Sequence, residues 1–122
     1  MKKLTCHCSG VELEIRETEE AMNRFLRCKC SLCKKKGYIM TFAPIADVKI
    51  TKGEDKLKLY QYHTKVAEHY FCAECGIYTH HKMRSRPDTY GLNVGCIDDI
   101  DQFKLENVGL NDGQNYSMDQ KK

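Results

Sequence analysis

Eight cysteines are the residues of this chain whose type and spacing could do chemistry. They fall into three groups and one single residue: Cys6-x-Cys8, Cys28-x-Cys30-x-x-Cys33, Cys72-x-x-Cys75 and Cys96. Short turns that present two or three sulfurs together are typical of metal sites, and of zinc sites above all. An even number of cysteines would also suit four disulfides in a secreted protein, but the tight clustering favours metal.

The first and last groups complete each other. On a strand, Cys6 and Cys8 would direct their sulfurs to the same side, with His7 pointing away. The segment from Cys72 to Cys75, followed by glycine, has the form of a knuckle, in which a CxxC turn directs two sulfurs at one point. Four thiolates make a closed tetrahedral shell, so we predict a structural zinc that ties the N-terminal strand to the second half of the chain.

The middle group has three sulfurs and no obvious fourth ligand. Zinc with three protein ligands keeps an open position, which is the pattern of a reactive site. The alternative is that a fourth side chain closes the shell and makes this site structural as well. Neighbours on a strand face opposite ways, so at most one of His80 and His81 could do so. The candidates for that fourth ligand are Cys96, His63, His69, His80 and His81.

The elements that must position these groups are mainly β-strands. A chain of 122 residues with 41% hydrophobic and 30% charged residues has the size and composition of one globular domain. One helical segment is predicted from Ser31 to Lys36, ending at Gly37, and another could start within 98–101. The polar end of the chain, from Asn107 to Lys122, should lie on the surface or fray. Alternation and β-branched or aromatic residues predict strands over 11–15, 38–42, 57–60, 68–71 and 77–80.

Charge and hydropathy bound the location and the partners. No apolar run approaches the roughly 20 residues of a membrane helix, and a cysteine-rich segment follows Met1–Leu4 where the apolar part of a signal peptide would stand. We therefore expect a cytoplasmic protein with no membrane partner. The formal net charge of +3 falls to about zero once seven thiolates and two zinc ions are counted, which does not favour a nucleic-acid partner.

Four segments taken together resemble a known family. They are Cys6–Val11, Cys28–Cys33, Phe71–Gly76 and Asn93–Asp98, and both their order and their spacing are similar to those of the glutathione-dependent formaldehyde-activating enzymes and their centromere-protein-V-like relatives. The resemblance implies a domain over 3–110, with a polar tail over 111–122. The implied fold is a β-tent, in which several small antiparallel sheets with zinc-binding knuckles fold over one another. It also implies two Zn²⁺ per chain, a structural ion at Cys6, Cys8, Cys72 and Cys75 and a catalytic ion at Cys28, Cys30 and Cys33.

The chemistry that this resemblance implies is carbon–sulfur lyase or synthase chemistry, the addition of glutathione to formaldehyde or another small aldehyde. Zinc with three thiolates is a poor Lewis acid but can hold a fourth sulfur, so glutathione would bind as a thiolate and attack the carbonyl carbon. Three lysines, Lys34–Lys36, could hold the two carboxylates of glutathione or could be a solvated face. The proton for the product oxygen could come from Tyr38, His63, His69 or His80.

Two other functions are compatible with the sequence. One is a zinc binding module without catalysis, of the centromere-protein-V-like type. The other is a thiol redox enzyme, similar to the methionine sulfoxide reductases, with Cys96 as its nucleophile. The apolar residues around Cys96 instead predict a buried, inert thiol.

Overall fold

In the computed structural model, which describes residues 1–62 and 65–111, the chain forms two β-sheets and one short α-helix. The smaller sheet is antiparallel and has the order β1-β2-β5; the larger has the order β10-β3-β4-β9-β8-β7-β6. In the larger sheet the pair β3–β10 is parallel and the other pairs are antiparallel. The elements are β1 Lys2–Thr5, β2 Glu12–Ile15, β3 Leu26–Cys28, α1 Ser31–Lys36, β4 Met40–Pro44, β5 Val48–Lys52, β6 Leu57–Tyr60, β7 Glu68–Cys72, β8 Tyr78–Lys82, β9 Thr89–Asn93 and β10 Gly109–Asn111.

The main core lies where the two sheets meet. Strand β2 alternates as the sequence predicts, because Leu13 and Ile15 are fully buried while Glu12 and Glu14, which alternate with them, are only partly buried. Each such aliphatic side chain contributes about 1.5–3 kcal/mol by leaving water. From the larger sheet, Ala43 and Leu92 pack into the same cluster, together with Cys72 and Cys96.

Helix α1 forms where the cysteine motif predicts it, and its ends explain why. The sulfur of Cys30 accepts a hydrogen bond from the Cys33 backbone N–H and so caps the N-terminus. Gly37 ends the helix in the left-handed conformation, with φ of 63°, which glycine adopts without the steric cost of a Cβ. This six-residue helix therefore holds the middle cysteine group in a compact loop.

The mainly β prediction is confirmed, and several bounds are corrected. Strand β6 is as predicted, whereas the strand predicted over 38–42 begins two residues later, at Met40. No helix starts within 98–101; Asp101 caps the short 3₁₀ helix Gln102–Lys104, because its carboxylate accepts from the Phe103 N–H. The larger sheet is wider than the small sheets implied by the resemblance, since seven short strands join edge to edge.

The end of the described chain is ordered rather than frayed. Residues 109–111 add a parallel strand beside Leu26–Cys28. The rest of the predicted tail, 112–122, lies outside the described residues. Within the described part of the chain, no helix has both the length and the apolar character needed to cross a membrane.

Candidate metal centres

The outer cysteine cluster brings two distant turns together. The sulfurs of Cys6 and Cys8 lie 3.6 Å apart, and the Cys8 sulfur lies 3.7 Å from that of Cys72. With Cys75, all four sulfurs lie within 4.8 Å of one another. Zinc–sulfur bonds of about 2.3 Å in a tetrahedron place neighbouring sulfurs about 3.8 Å apart, so this donor set fits a zinc ion.

The first pair reaches this arrangement differently from the prediction. Strand β1 ends at Thr5, and the residues from Cys6 to Ser9 form a turn in which the Ser9 N–H donates to the Cys6 carbonyl oxygen. Ser9 takes a positive φ of 63° there. The turn, not strand alternation, places both sulfurs on one side. The second pair lies in the predicted knuckle, where the Gly76 N–H donates to the Cys72 carbonyl and Gly76 has a φ of 77°.

The surroundings of the outer cluster act differently on its sulfurs. At Cys8, a hydrogen bond from the Gly10 backbone lowers the pKa, but the neighbouring Cys6 sulfur and desolvation outweigh it and raise the pKa to about 11. The backbone N–H of Val11 donates to the Cys6 sulfur at 3.3 Å. At Cys75, desolvation raises the pKa, but hydrogen bonds from backbone groups of Cys8 and Ile77 outweigh it and bring the pKa down to about 6. Such N–H···S contacts stabilise a deprotonated sulfur, the form that binds a metal.

The middle cluster is formed by one continuous loop. The sulfurs of Cys28, Cys30 and Cys33 lie within 4.8 Å of one another, and the Cys30 backbone N–H donates to the Cys28 sulfur at 3.4 Å. The Tyr38 hydroxyl lies 3.5 Å from the Cys33 sulfur, placed to donate to its thiolate. Hydrogen bonds to the neighbouring sulfurs of Cys28 and Cys30 raise the pKa of Cys33, because they hold a proton on its sulfur, and burial adds to the shift. A divalent cation could take the place of that shared proton among the three sulfurs, so this donor set also fits a metal.

The middle cluster has no fourth ligand among residues 1–62 and 65–111. Cys96 is buried in the main core instead, in the 3₁₀ helix Val94–Cys96. Burial raises the pKa of Cys96 to about 12, which keeps it a neutral thiol. Its sulfur accepts from the Asn93 amide at 3.5 Å. The packing therefore matches the predicted inert thiol, and Cys96 does not close the middle cluster.

A cleft of about 970 Å³ opens in front of the middle cluster. All three of its cysteines line this cleft, so their sulfurs face a space large enough for a tripeptide. One wall is apolar, with Leu26, Met40, Phe42 and Met83. The rim carries three guanidinium groups and one carboxylate, from Arg24, Arg84, Arg86 and Glu106.

Strands β7 and β8 supply one wall of the cleft, and each contributes a histidine to it. His69 and His81 are directly opposed in register, and their rings stack with centroids 5.4 Å apart. The Tyr78 hydroxyl is hydrogen-bonded to Nδ1 of His81, and the Tyr38 and Tyr78 rings are in contact, 4.7 Å apart. Burial lowers the pKa of His69 to about 4 and that of His81 well below its usual range, so both rings are neutral near pH 7.

The structure separates the predicted proton donors. Tyr38 lies beside the middle cluster, and His69 lines its cleft. His80 points to the other face of the sheet, between Tyr70 and Tyr90. His80 is therefore not a candidate donor, because alternate residues of a strand face opposite sides. His63 lies outside the described residues.

Sequence reasoning did not find the His69–His81 pair. The register beside the Cys72–Cys75 knuckle pairs Phe71 with Tyr78 and, if continued, would place His69 opposite His80. A β-bulge between Tyr70 and Phe71 shifts the register by one residue, so His69 lies opposite His81. The arginines on the rim were also not predicted, because they come from two loops that meet only in the folded chain: Arg24 precedes β3, and Arg84 and Arg86 lie between β8 and β9.

Comparison with known proteins agrees with this geometry. The family model described as "Glutathione-dependent formaldehyde-activating enzyme" matches residues 1–108. The chain belongs to this family. Two curated relatives carry the same activity in their names as a provisional assignment. The protein of Emericella nidulans is 28% identical over 95 residues, which cover 75% of this chain and 47% of the relative. The protein of Halomonas elongata is 29% identical over 79 residues, covering 58% and 49%.

The fold comparison extends over most of the described chain. A crystal structure of a Rhodobacter sphaeroides protein superposes with a TM-score of 0.82 and 41% sequence identity, covering 88% of this chain and 98% of the other. The chain spans about half the length of the curated family members it matches. Membership of the formaldehyde-activating enzyme family thus rests on the match over residues 1–108, and both cysteine clusters lie within it.

Proposed function

We propose that this chain is a zinc-dependent carbon–sulfur lyase or synthase that adds glutathione to formaldehyde or a similar small aldehyde, and releases it in reverse. The observation that carries the proposal is the opening of three convergent cysteine sulfurs onto the 970 Å³ cleft. We assign Cys28, Cys30 and Cys33 to a catalytic zinc. Cys6, Cys8, Cys72 and Cys75 are assigned to a structural one.

Zinc held by three thiolates supplies an open position at which a thiol binds as its thiolate. The chain's own residues do the rest of the binding. Backbone N–H groups and the Tyr38 hydroxyl, directed at the cysteine sulfurs, offset part of their negative charge. The apolar wall formed by Met40 and Phe42 limits the water that reaches the reacting carbon.

The rim suits the ends of glutathione. Glutathione carries a carboxylate at each end and an ammonium group beside one of them, with its thiol between them. Arg24, Arg84 and Arg86 offer guanidinium groups for the carboxylates, and Glu106 offers a carboxylate for the ammonium. Arg24 also lies over the Phe42 ring, 4.7 Å from its centroid, which orients its side chain at the cleft.

Of the three lysines after Cys33, two do not take part in this arrangement. Lys34 and Lys35 are exposed, as a solvated face would be, while Lys36 turns inward against Tyr78. None of the eight cysteines, all of which lie in the described residues, forms a disulfide. We place the protein in the cytoplasm, where such thiols stay reduced and glutathione is available.

The direct test is NMR exchange between glutathione, formaldehyde and S-hydroxymethylglutathione, with and without the zinc-loaded protein. The addition also proceeds without an enzyme, so the protein must raise the exchange rate above that of buffer. Arg24→Gln and Arg86→Gln should raise KM for glutathione, while Lys49→Gln, an exposed charge change on the smaller sheet, should not. A protein carrying both metals that binds glutathione without any rate increase would refute the enzyme and favour a binding module.

A further inference from the structure

The amino group of Lys36 is held inside the protein, beside the cleft. Its Nζ lies 3.3 Å from Nδ1 of His69 and 3.5 Å from the centroid of the Tyr78 ring. The Tyr38 ring is also near, 5.4 Å away. A lysine that only kept the helix soluble would extend into water, as Lys35 on the same helical turn does.

This contact fixes the proton on the His69 ring. An ammonium group has donors and no acceptor, so Nδ1 of His69 must accept and the ring proton must be on Nε2. His69 lines the cleft together with the three cysteines of the middle cluster. Stacking on His81, which is itself held by Tyr78, keeps the ring in place.

We propose that Lys36 and His69 form a proton relay that protonates the aldehyde oxygen as the thiol adds. The inference rests on the proposed function and extends it. The sulfur lone pair forms the new C–S bond, and the π pair of the carbonyl moves to oxygen. That oxygen takes the Nε2 proton of His69, and Nδ1 takes a proton from Lys36, which becomes a neutral amine. The proton that the thiol released on binding returns through solvent to Nε2 of His69, and Nδ1 gives its proton back to the Lys36 amine, so both residues recover their starting state without any other reactant.

The electrostatics suit both members of the relay. Burial lowers the pKa of Lys36 to about 8, partly offset by the nearby Cys33 and Cys30, so the ammonium gives up a proton far more readily than an exposed lysine. His69 stays neutral, because burial and then the Lys36 charge lower its pKa to about 4. It therefore passes a proton on and does not store one. In the lyase direction the neutral Lys36 amine accepts the proton by the same path.

Three substitutions test the relay in the zinc-loaded chain. Lys36→Arg keeps a positive charge and donors but cannot release a proton, and His69→Gln keeps a donor but cannot pass one on. Both should lower kcat for glutathione–formaldehyde exchange by about 10²-fold or more, with KM for glutathione unchanged. Lys35→Met, an exposed residue of the same helix, should retain the parental kcat and KM.

A readout that does not depend on activity is the ring tautomer. Two-bond ¹⁵N–¹H NMR spectra should show His69 as the Nε2–H tautomer in the parent and in Lys36→Arg, and a mixture of tautomers in Lys36→Met. If the parent accelerates exchange while Lys36→Arg and His69→Gln keep its kcat, the relay is wrong and the proposed function stands. If the parent itself gives no acceleration, the proposed function fails and the relay fails with it. A parental Nδ1–H tautomer would also overturn the relay.

Discussion

Gly91 should be intolerant of any side chain, because the His81 ring occupies the place of a Cβ. The two residues are cross-strand partners in β8 and β9, and a Cβ built on Gly91 would lie 2.0 Å from Cε1 and 2.5 Å from Nε2 of His81. These are ring atoms of a buried side chain, so the imidazole must leave its position in Gly91→Ala. It would lose its stacking on His69 and its bond to Tyr78.

The cost can be worked from these two losses. Overpacking a core position costs about 1–3 kcal/mol. Leaving a buried hydrogen-bonding group without its partner costs about 1–3 kcal/mol more. We expect Gly91→Ala to lower the free energy of unfolding by about 3 kcal/mol, a large part of the roughly 5–15 kcal/mol of a domain. The control is Gly109→Ala, whose Cβ would meet its nearest neighbour at an ordinary 3.6 Å.

A double-mutant cycle isolates the clash. With His81→Ala as the background, Gly91→Ala no longer meets the ring, so it should be neutral or stabilising by up to about 1 kcal/mol, as alanine often is over glycine in a strand. Urea unfolding of the four proteins gives the coupling free energy. An equal loss of stability in both backgrounds would show that the ring does not lie over Gly91 and would refute the reasoning.

Three further predictions concern the metals, the single cysteine and pH. Purified protein should carry about two zinc ions per chain, as native mass spectrometry would show. Cys72→Ser should unfold the protein, because the outer cluster joins distant turns, whereas Cys28→Ser should stay folded with one ion. Circular dichroism would distinguish the folded variant from the unfolded one. Cys96→Ser should keep both ions and full exchange activity, while its free energy of unfolding should fall by about 1–2 kcal/mol because a polar group enters the core. Loss of a zinc ion in this variant would contradict the assignment of Cys96 as an inert thiol. Burial lowers the pKa of His80 from 6.5 to about 4, so below pH 6.5 the unfolded chain binds a proton that the folded chain does not. The free energy of unfolding should therefore fall between pH 6.5 and pH 4. This fall should be larger in the parent than in His80→Gln, by up to about 3 kcal/mol.

The groups of cysteines could be predicted from sequence because their geometry is local. A CxxC turn followed by glycine, or CxCxxC leading into a helix, brings sulfurs together whatever the rest of the chain does. The joining of Cys6 and Cys8 with the Cys72 knuckle follows from counting ligands, since four thiolates complete one tetrahedron. The turn at Cys6 to Ser9 was not predicted, because two cysteines with one residue between them fit a strand or a turn equally well.

The residues that line the cleft could not be predicted from local sequence motifs. Its arginines come from two loops that are distant in sequence. Lys36 differs from Lys34 and Lys35 only in the direction in which the helix points its side chain. Strand β10 was missed for a similar reason, because three residues carry little β signal and pair with β3 only once the chain has folded back. The sequence thus predicts the chemistry of the sulfurs better than the shape around them.

The separation of the outer ligands also determines when each cluster can form during folding. The middle ligands lie within six consecutive positions, so this loop can collect a cation while the rest of the chain is still unstructured. The outer ligands Cys8 and Cys72 are 64 residues apart, and loop-closure entropy makes their meeting rare until the sheets bring both turns together. On the proposed assignment of one metal ion to each cluster, a newly synthesised chain would fill the middle cluster first and the outer cluster second. Filling of the outer cluster would then mark the completion of the fold.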